Sequence, residues 1–142
     1  MMATPTGIAP IKQAIVKALR AHSALKAAVS NEFHEAVVPR DVEYPFVVYD
    51  VAYLTHDYTW GSDIIRSGVD IHVISDDQVE AHNLDQLVTE AVQDVALDLG
   101  SSGQSTLYCR RRSDVSLAAL DDSGKKIYQV GGSFLIWTDQ PI

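Results

Sequence analysis

The sequence predicts an α+β fold: an antiparallel sheet of about four strands, in two hairpins, with two main helices packed on one face. Three observations carry this expectation. Two stretches repeat apolar residues at helical spacing, two pairs of stretches are rich in β-branched and aromatic residues, and turn-forming residues separate the members of each pair. The 142 residues suit one domain, placed at 8–142 behind a flexible tail at 1–7, and are enough to bury a core without staples.

The first helix is read from Ile8, Ile11, Ile15, Leu19, His22, Leu25 and Val29, one apolar stripe with Pro10 in the first turn, where its missing N–H costs nothing. Residues 30–45 lose this period, contain Pro39 and Pro45, and read as loop. "EYPFVVYDVAY" at 43–53 favours strand, with Val47, Tyr49, Val51 and Tyr53 on one side and Phe46, Val48, Asp50 and Ala52 on the other. "WGSD" at 60–63 reads as a turn within a loop at 54–63. Val69, Ile71 and Val73 then alternate with Asp70 and His72 as the second strand of a hairpin.

The second helix is expected to start at Ser75, as the N-cap of the box "SDDQ". It should run through Leu84, Leu87, Val88, Ala91, Val92, Val95 and Leu99 to a stop at Gly100. "GSSGQS" at 100–105 is read as a flexible connector. Two further strands, about 106–118 and 126–138, flank "LDDSGKK", and Gly131–Gly132 suggests a bulge in the second.

Composition narrows the function. A net charge of −8 argues against gripping nucleic acid, which requires a positive surface to displace counterions. No apolar run is long enough for a membrane span, and the start "MMATPTGIAP" has neither a basic nor an apolar region of the signal-peptide kind, so neither is expected. Cys109 is the single cysteine, so no internal disulfide forms.

Catalytic patterns are missing. There is no G-x-S-x-G elbow, and "GSSGQS" lacks a phosphate loop's lysine and follows a helix instead of preceding one. Cys109 precedes three arginines but has no base, and reads as a buried strand cysteine. His22 reads as a satisfied core or interface histidine. His56 and His72, near Asp57 and Asp70, form the one conceivable metal or ligand patch, without any metal-ligand spacing in the sequence. The expectation is therefore no enzyme, no catalytic residue, no metal and no cofactor.

Charge placement is the more telling feature. Seven acids, Asp76, Asp77, Glu80, Asp85, Glu90, Asp94 and Asp98, occupy 76–98 with no Lys or Arg between them, while 8–30 holds four bases and no acid. Arg110, Arg111 and Arg112 add a basic run on one strand. Like charges on one helix repel, so a complementary surface is expected to offset them. A second copy of the chain is one such surface, with Asp85, Glu90 and Asp94 of one copy facing Arg110, Arg111 and Arg112 of the next.

In the order of its pieces, "IKQAIVKALRAHSALKAAV", "EYPFVVYDV" with its "PFVV" strand start, "GVDIHVISDDQVEAHNLDQLVTEAVQDV" and "KKIYQVGGSFLIWTD", the chain resembles the tail terminator, or tail-completion, proteins of long-tailed bacteriophages. The likeness covers roughly 8–139; the start before Ile8 and the arginine run have no counterpart in the pattern. It implies a non-catalytic ring, usually hexameric, on the head-proximal end of the tail tube, which stops polymerisation and offers a surface to the head connector. The implied partners are other copies, the tube protein and the connector or head-closure protein, with DNA crossing the lumen unbound and no membrane involved. The implied place is the virion's head–tail junction, after assembly in the host cytoplasm. Tyr58 and Trp60 are the expected partner-contacting residues of the 54–63 loop. Two other readings remain: a head-closure or adaptor ring on the portal side, and a small metal- or ligand-binding enzyme domain around His56 and His72.

Overall fold

The computed structural model describes residues 8–38, 42–99 and 105–141. The tail at 1–7, the stop at Gly100 and most of the 100–105 connector lie outside them. The elements are α1 (Ile8–Ala21), α2 (Ser23–Ala28), β1 (Phe33–Glu35), β2 (Phe46–Thr59), β3 (Ser62–Ser75), α3 (Gln78–Val92), β4 (Ser105–Leu120) and β5 (Lys126–Pro141). They build one five-stranded sheet in the order β1-β2-β3-β5-β4, with β1 parallel to β2 and every other pair antiparallel.

The α+β class and the two hairpins match the expectation; the fifth strand does not. β1 is too short to show alternation. Ser30 and Asn31, both left-handed (φ 53° and 58°), turn the chain out of α2. Phe33 then drops into the core, while the Val47 N–H donates to Glu32 O and the Ala36 N–H to Tyr49 O.

The helices cover one sheet face. Ile11, Ala14, Ile15 and Leu19 of α1, Leu25 of α2, and Ala81, Leu84, Val88, Ala91 and Val92 of α3 meet Val47, Tyr49, Val51, Val69, Ile71, Val73, Val130, Phe134 and Ile136. Each fully buried aliphatic side chain contributes about 1.5–3 kcal/mol, so this layer is the main source of stability.

The first helix is broken where one continuous helix was expected. At His22 the backbone is extended (φ −82°, ψ 99°), and the ring Nδ1 accepts the Leu25 N–H at 3.2 Å, capping α2. His22 is thus satisfied by capping rather than by apolar packing. The second helix also differs at both ends. Ser75 still pairs with Tyr128 in the sheet, so the N-cap falls on Asp77, whose carboxylate accepts from Val79 and Glu80. The Ser75 hydroxyl links Asp77 to Glu80, accepting the Asp77 N–H and donating to the Glu80 carboxylate.

α3 ends at Val92, well before Leu99. Asp94 turns left-handed (φ 57°) and its N–H donates to Cys109 O, after which the chain runs beside β4, burying Leu97 and Leu99 at every second residue. Positions 92, 95 and 99 fit a helical stripe on paper, but the backbone exchanges its helical partners for β4.

The expected bulge at Gly131–Gly132 lies instead on the partner strand. β5 keeps unbroken register with β3, and the register shift against β4 falls between Arg111 and Ser113. A second shift, between Val51 and Tyr53, moves Tyr53 off the helix-covered face, where strict alternation had placed it. Tyr53 lies over Gly68 on the opposite face.

Candidate assembly surfaces

The acidic helix and the arginine run meet inside one chain. Arg111 points to the helix side, where Gly132 leaves room for its guanidinium. Its Nη1 reaches Asp85 at 2.8 Å and Thr89 at 3.0 Å, its Nε reaches Asp114 at 2.5 Å, and its Nη2 donates to Gly131 O at 2.7 Å. The guanidinium also lies over the Phe134 ring. Both Arg111 and Asp85 are largely buried, with side chains 15% and 14% exposed. Burial works against the charged guanidinium, but the bonds to Asp85 and Asp114 outweigh it and raise its pKa.

The remaining pairs are exposed. Arg110 Nε binds Asp94 at 3.0 Å, Lys17 binds Asp98 at 2.5 Å, Lys125 binds Asp76 at 2.7 Å, and His22 Nε2 lies 3.2 Å from Glu90. With Asp77 capping the helix and Glu80 held by Ser75, all seven acids of 76–98 have partners in their own chain. Packing α3 against β4 and β5 thus brings most of the separated charges together within one chain. Exposed pairs of this kind contribute about 0–1 kcal/mol each. Arg112 is the exception in the run. It occupies the β4 bulge and makes no ion pair among the described residues.

The sheet face away from the helices carries an open groove of about 610 Å³, lined in part by Tyr53, Gly68, Asp70, Arg112 and Leu135. Trp137 borders it, with Tyr108 tilted against its ring and Arg66 on it at 5.8 Å. Arg66 also binds Asp57 at 2.8 Å.

Residues 54–59 are strand and only Trp60 and Gly61 turn, so the expected 54–63 loop is a long hairpin end. Tyr58 stacks on His56, and Trp60 projects fully into solvent.

The metal or ligand patch does not assemble. His56 faces the helix side of the hairpin and binds Asp63 at 2.6 Å, whereas His72, three residues from Ser75, faces the other side beside Gln129. Among the described residues no group of three or more His, Cys, Asp or Glu side chains could hold a metal ion. Cys109 is buried, and desolvation, helped by Asp94, pushes its thiol pKa up to about 12. A thiol reagent at pH 8 should label native protein slower than unfolded protein by about 100-fold or more; equal rates would contradict a buried thiol.

Sequence reasoning missed the Arg111 hub and the free sheet edges. The only advance signal for the hub was the glycine pair, which marks a close approach.

No curated protein matches the chain in sequence. Among solved structures it is similar to a chain of the "Virion of native gene transfer agent (GTA) particle", with TM-score 0.64 and 18% identity over 92% of this chain and 93% of that one, a likeness of fold. The profile of the family described as "Tail completion protein gp17" matches residues 13–138. The chain belongs to that family, and so to the structural proteins of the virion tail.

Proposed function

We propose that the protein closes the head-proximal end of the tail tube as a hexameric ring, stops further addition of tube subunits, and presents the surface to which the head connector joins at the head–tail junction. The observation that carries this reading is the family match across 13–138. The hairpin end with Tyr58 and Trp60 supports it, because exposed aromatic side chains at a projecting tip suit docking onto the tube or connector. In this reading the protein performs no catalysis, and DNA crosses the lumen without adhering to an acidic protein.

Of the charged residues first assigned to a contact between copies, Arg112 is the cation free to serve there. Asp85, Glu90, Asp94, Arg110 and Arg111 have partners at home and act there only by exchanging them.

The test adds purified protein to polymerising tube protein. Capping predicts tubes that stop growing, with the protein at one end, and a closed ring by native mass. Uncapped growth, or binding only to portal-side proteins, would count against it. Arg112→Glu should weaken ring assembly by about tenfold while leaving the denaturation midpoint unchanged; unaltered assembly removes Arg112 from the interface.

A further inference from the structure

Both outer strands of the sheet are half covered, and the uncovered halves are complementary. On one side, β1 pairs with β2 only from Val47 to Tyr49. Beyond that, among the described residues, no strand and no backbone hydrogen bond occupies the outer edge of β2 up to Thr59. On the other side, the Asp94 N–H binds Cys109 O, the Leu97 N–H binds the Thr106 hydroxyl, and the Gln93 side chain accepts the Arg111 N–H. Beyond the Arg112 bulge, among the described residues, no hydrogen bond reaches the outer edge of the β4 backbone up to Leu120.

Natural proteins blunt such edges with charge, proline or further bulges. Residues 115–120, "VSLAAL", have none of these, and Leu117 and Leu120 are 57% and 70% exposed.

The direction of each backbone group follows from the hydrogen bonds at the strand ends. The Asp121 N–H binds Lys125 O, so Asp121 faces β5, and alternation turns Leu120, Ala118 and Ser116 outward. On β2, the two-residue turn makes Thr59 opposite Ser62 the inward pair, which turns Tyr58, His56 and Leu54 outward. Each free half therefore offers a row of unused N–H and C=O groups.

Polarity matches as well. β2 and β5 run one way and β3 and β4 the other, so copies placed side by side in the same orientation bring β4 against the next β2 in the antiparallel sense. The free half of β4 lies toward the β4–β5 turn and that of β2 toward the β2–β3 turn, so each copy is offset along the strands from its neighbour. Closed rings of strands absorb such an offset by tilting against the ring axis. β1 and the 93–99 segment fall outside the joined halves.

We propose that the free half of β4 in one copy pairs, antiparallel, with the free half of β2 in the next copy, joining the sheets of neighbouring subunits into one. This rests on the ring proposed above and names the edges that close it. Antiparallel pairing also carries the Arg112 end of β4 to the Tyr58 end of the neighbour's β2. A β4-to-β4 pairing would instead use one edge twice and leave β2 bare.

Two experiments test it. In wild-type protein, hydrogen exchange at the amides of Leu54, His56, Ser116 and Ala118 should slow at least about tenfold on assembly. Unchanged exchange within intact rings overturns the edge pairing and leaves the ring standing, whereas a protein that never forms rings overturns both. In the second, Ala118→Pro blocks the β4 edge and Leu54→Pro blocks the β2 edge, each removing an N–H that the chain's own ladder does not use. Each folded variant alone should be monomeric, and an equimolar mixture should give one dimer, because a single intact β4 edge and a single intact β2 edge remain to meet. A variant that pairs with itself, or assembles as wild type does, overturns the proposal.

Discussion

Replacing Arg111 with methionine lowers the free energy of unfolding by about 3 kcal/mol, read from the urea midpoint at constant slope. The magnitude follows from burial. The Asp85 carboxylate is 14% exposed and has Arg111 as its ion-pair partner, so truncation leaves a desolvated charge facing an apolar layer. The same change removes one hydrogen bond from the Thr89 hydroxyl and one from the Gly131 carbonyl. Lysine does not substitute, because a single ammonium cannot reach Asp85, Asp114 and Gly131 O at once. Replacing Asp85 with leucine in the Arg111→Met background recovers part of the loss, since two apolar groups need no pairing. A loss below about 1 kcal/mol for Arg111→Met would show that the pair is as weak as an exposed one.

Gly131→Ala is expected to be comparably damaging, by about 3 kcal/mol, through sterics instead of charge. A Cβ at Gly131 would run into the Ile71 carbonyl oxygen and come within 2.6 Å of His72 Cα. These are backbone atoms of the central strand, so relief requires β3 and β5 to separate locally. Gly132→Ala meets the Ser113 carbonyl oxygen and comes within 2.9 Å of Arg111 Nε, so it would also unseat the guanidinium. Thermal unfolding of each variant measures the effect, and a melting temperature equal to wild type for Gly131→Ala would contradict the β3–β5 spacing described here.

Much of the architecture was readable from periodicity, because stripes and alternation are local. Ile11, Ile15 and Leu19 announced α1, and Val69, Ile71 and Val73 announced β3, since each set packs against a single layer. What periodicity misses is the change of partner. The run from Leu84 to Leu99 keeps one apolar rhythm, but its last part leaves the helix because Asp94 and Leu97 find hydrogen-bond partners on β4. β1 escaped for a related reason: three residues in parallel register depend on β2 being present.

The charges show the same limit. Acids on 76–98 and bases on 110–112 are visibly separated in sequence, which invites a partner outside the chain. Folding brings Asp85 to Arg111 and Asp94 to Arg110, so proximity along the chain was a poor guide to isolation in space. The Tyr58–Trp60 tip, by contrast, was legible, because a turn signal between two strands puts its residues at an end of the sheet.

The two long hairpins turn at opposite ends of the sheet, Trp60–Gly61 at one end and Asp121–Lys125 at the other, and they are joined by the β3–β5 ladder from Ser62 opposite Pro141 to Ser75 opposite Tyr128. A pull applied between those ends would load this ladder in shear, with its bonds lying across the force and sharing it together. Strands peeled sideways would fail one bond at a time. This geometry therefore resists tension best along its strands.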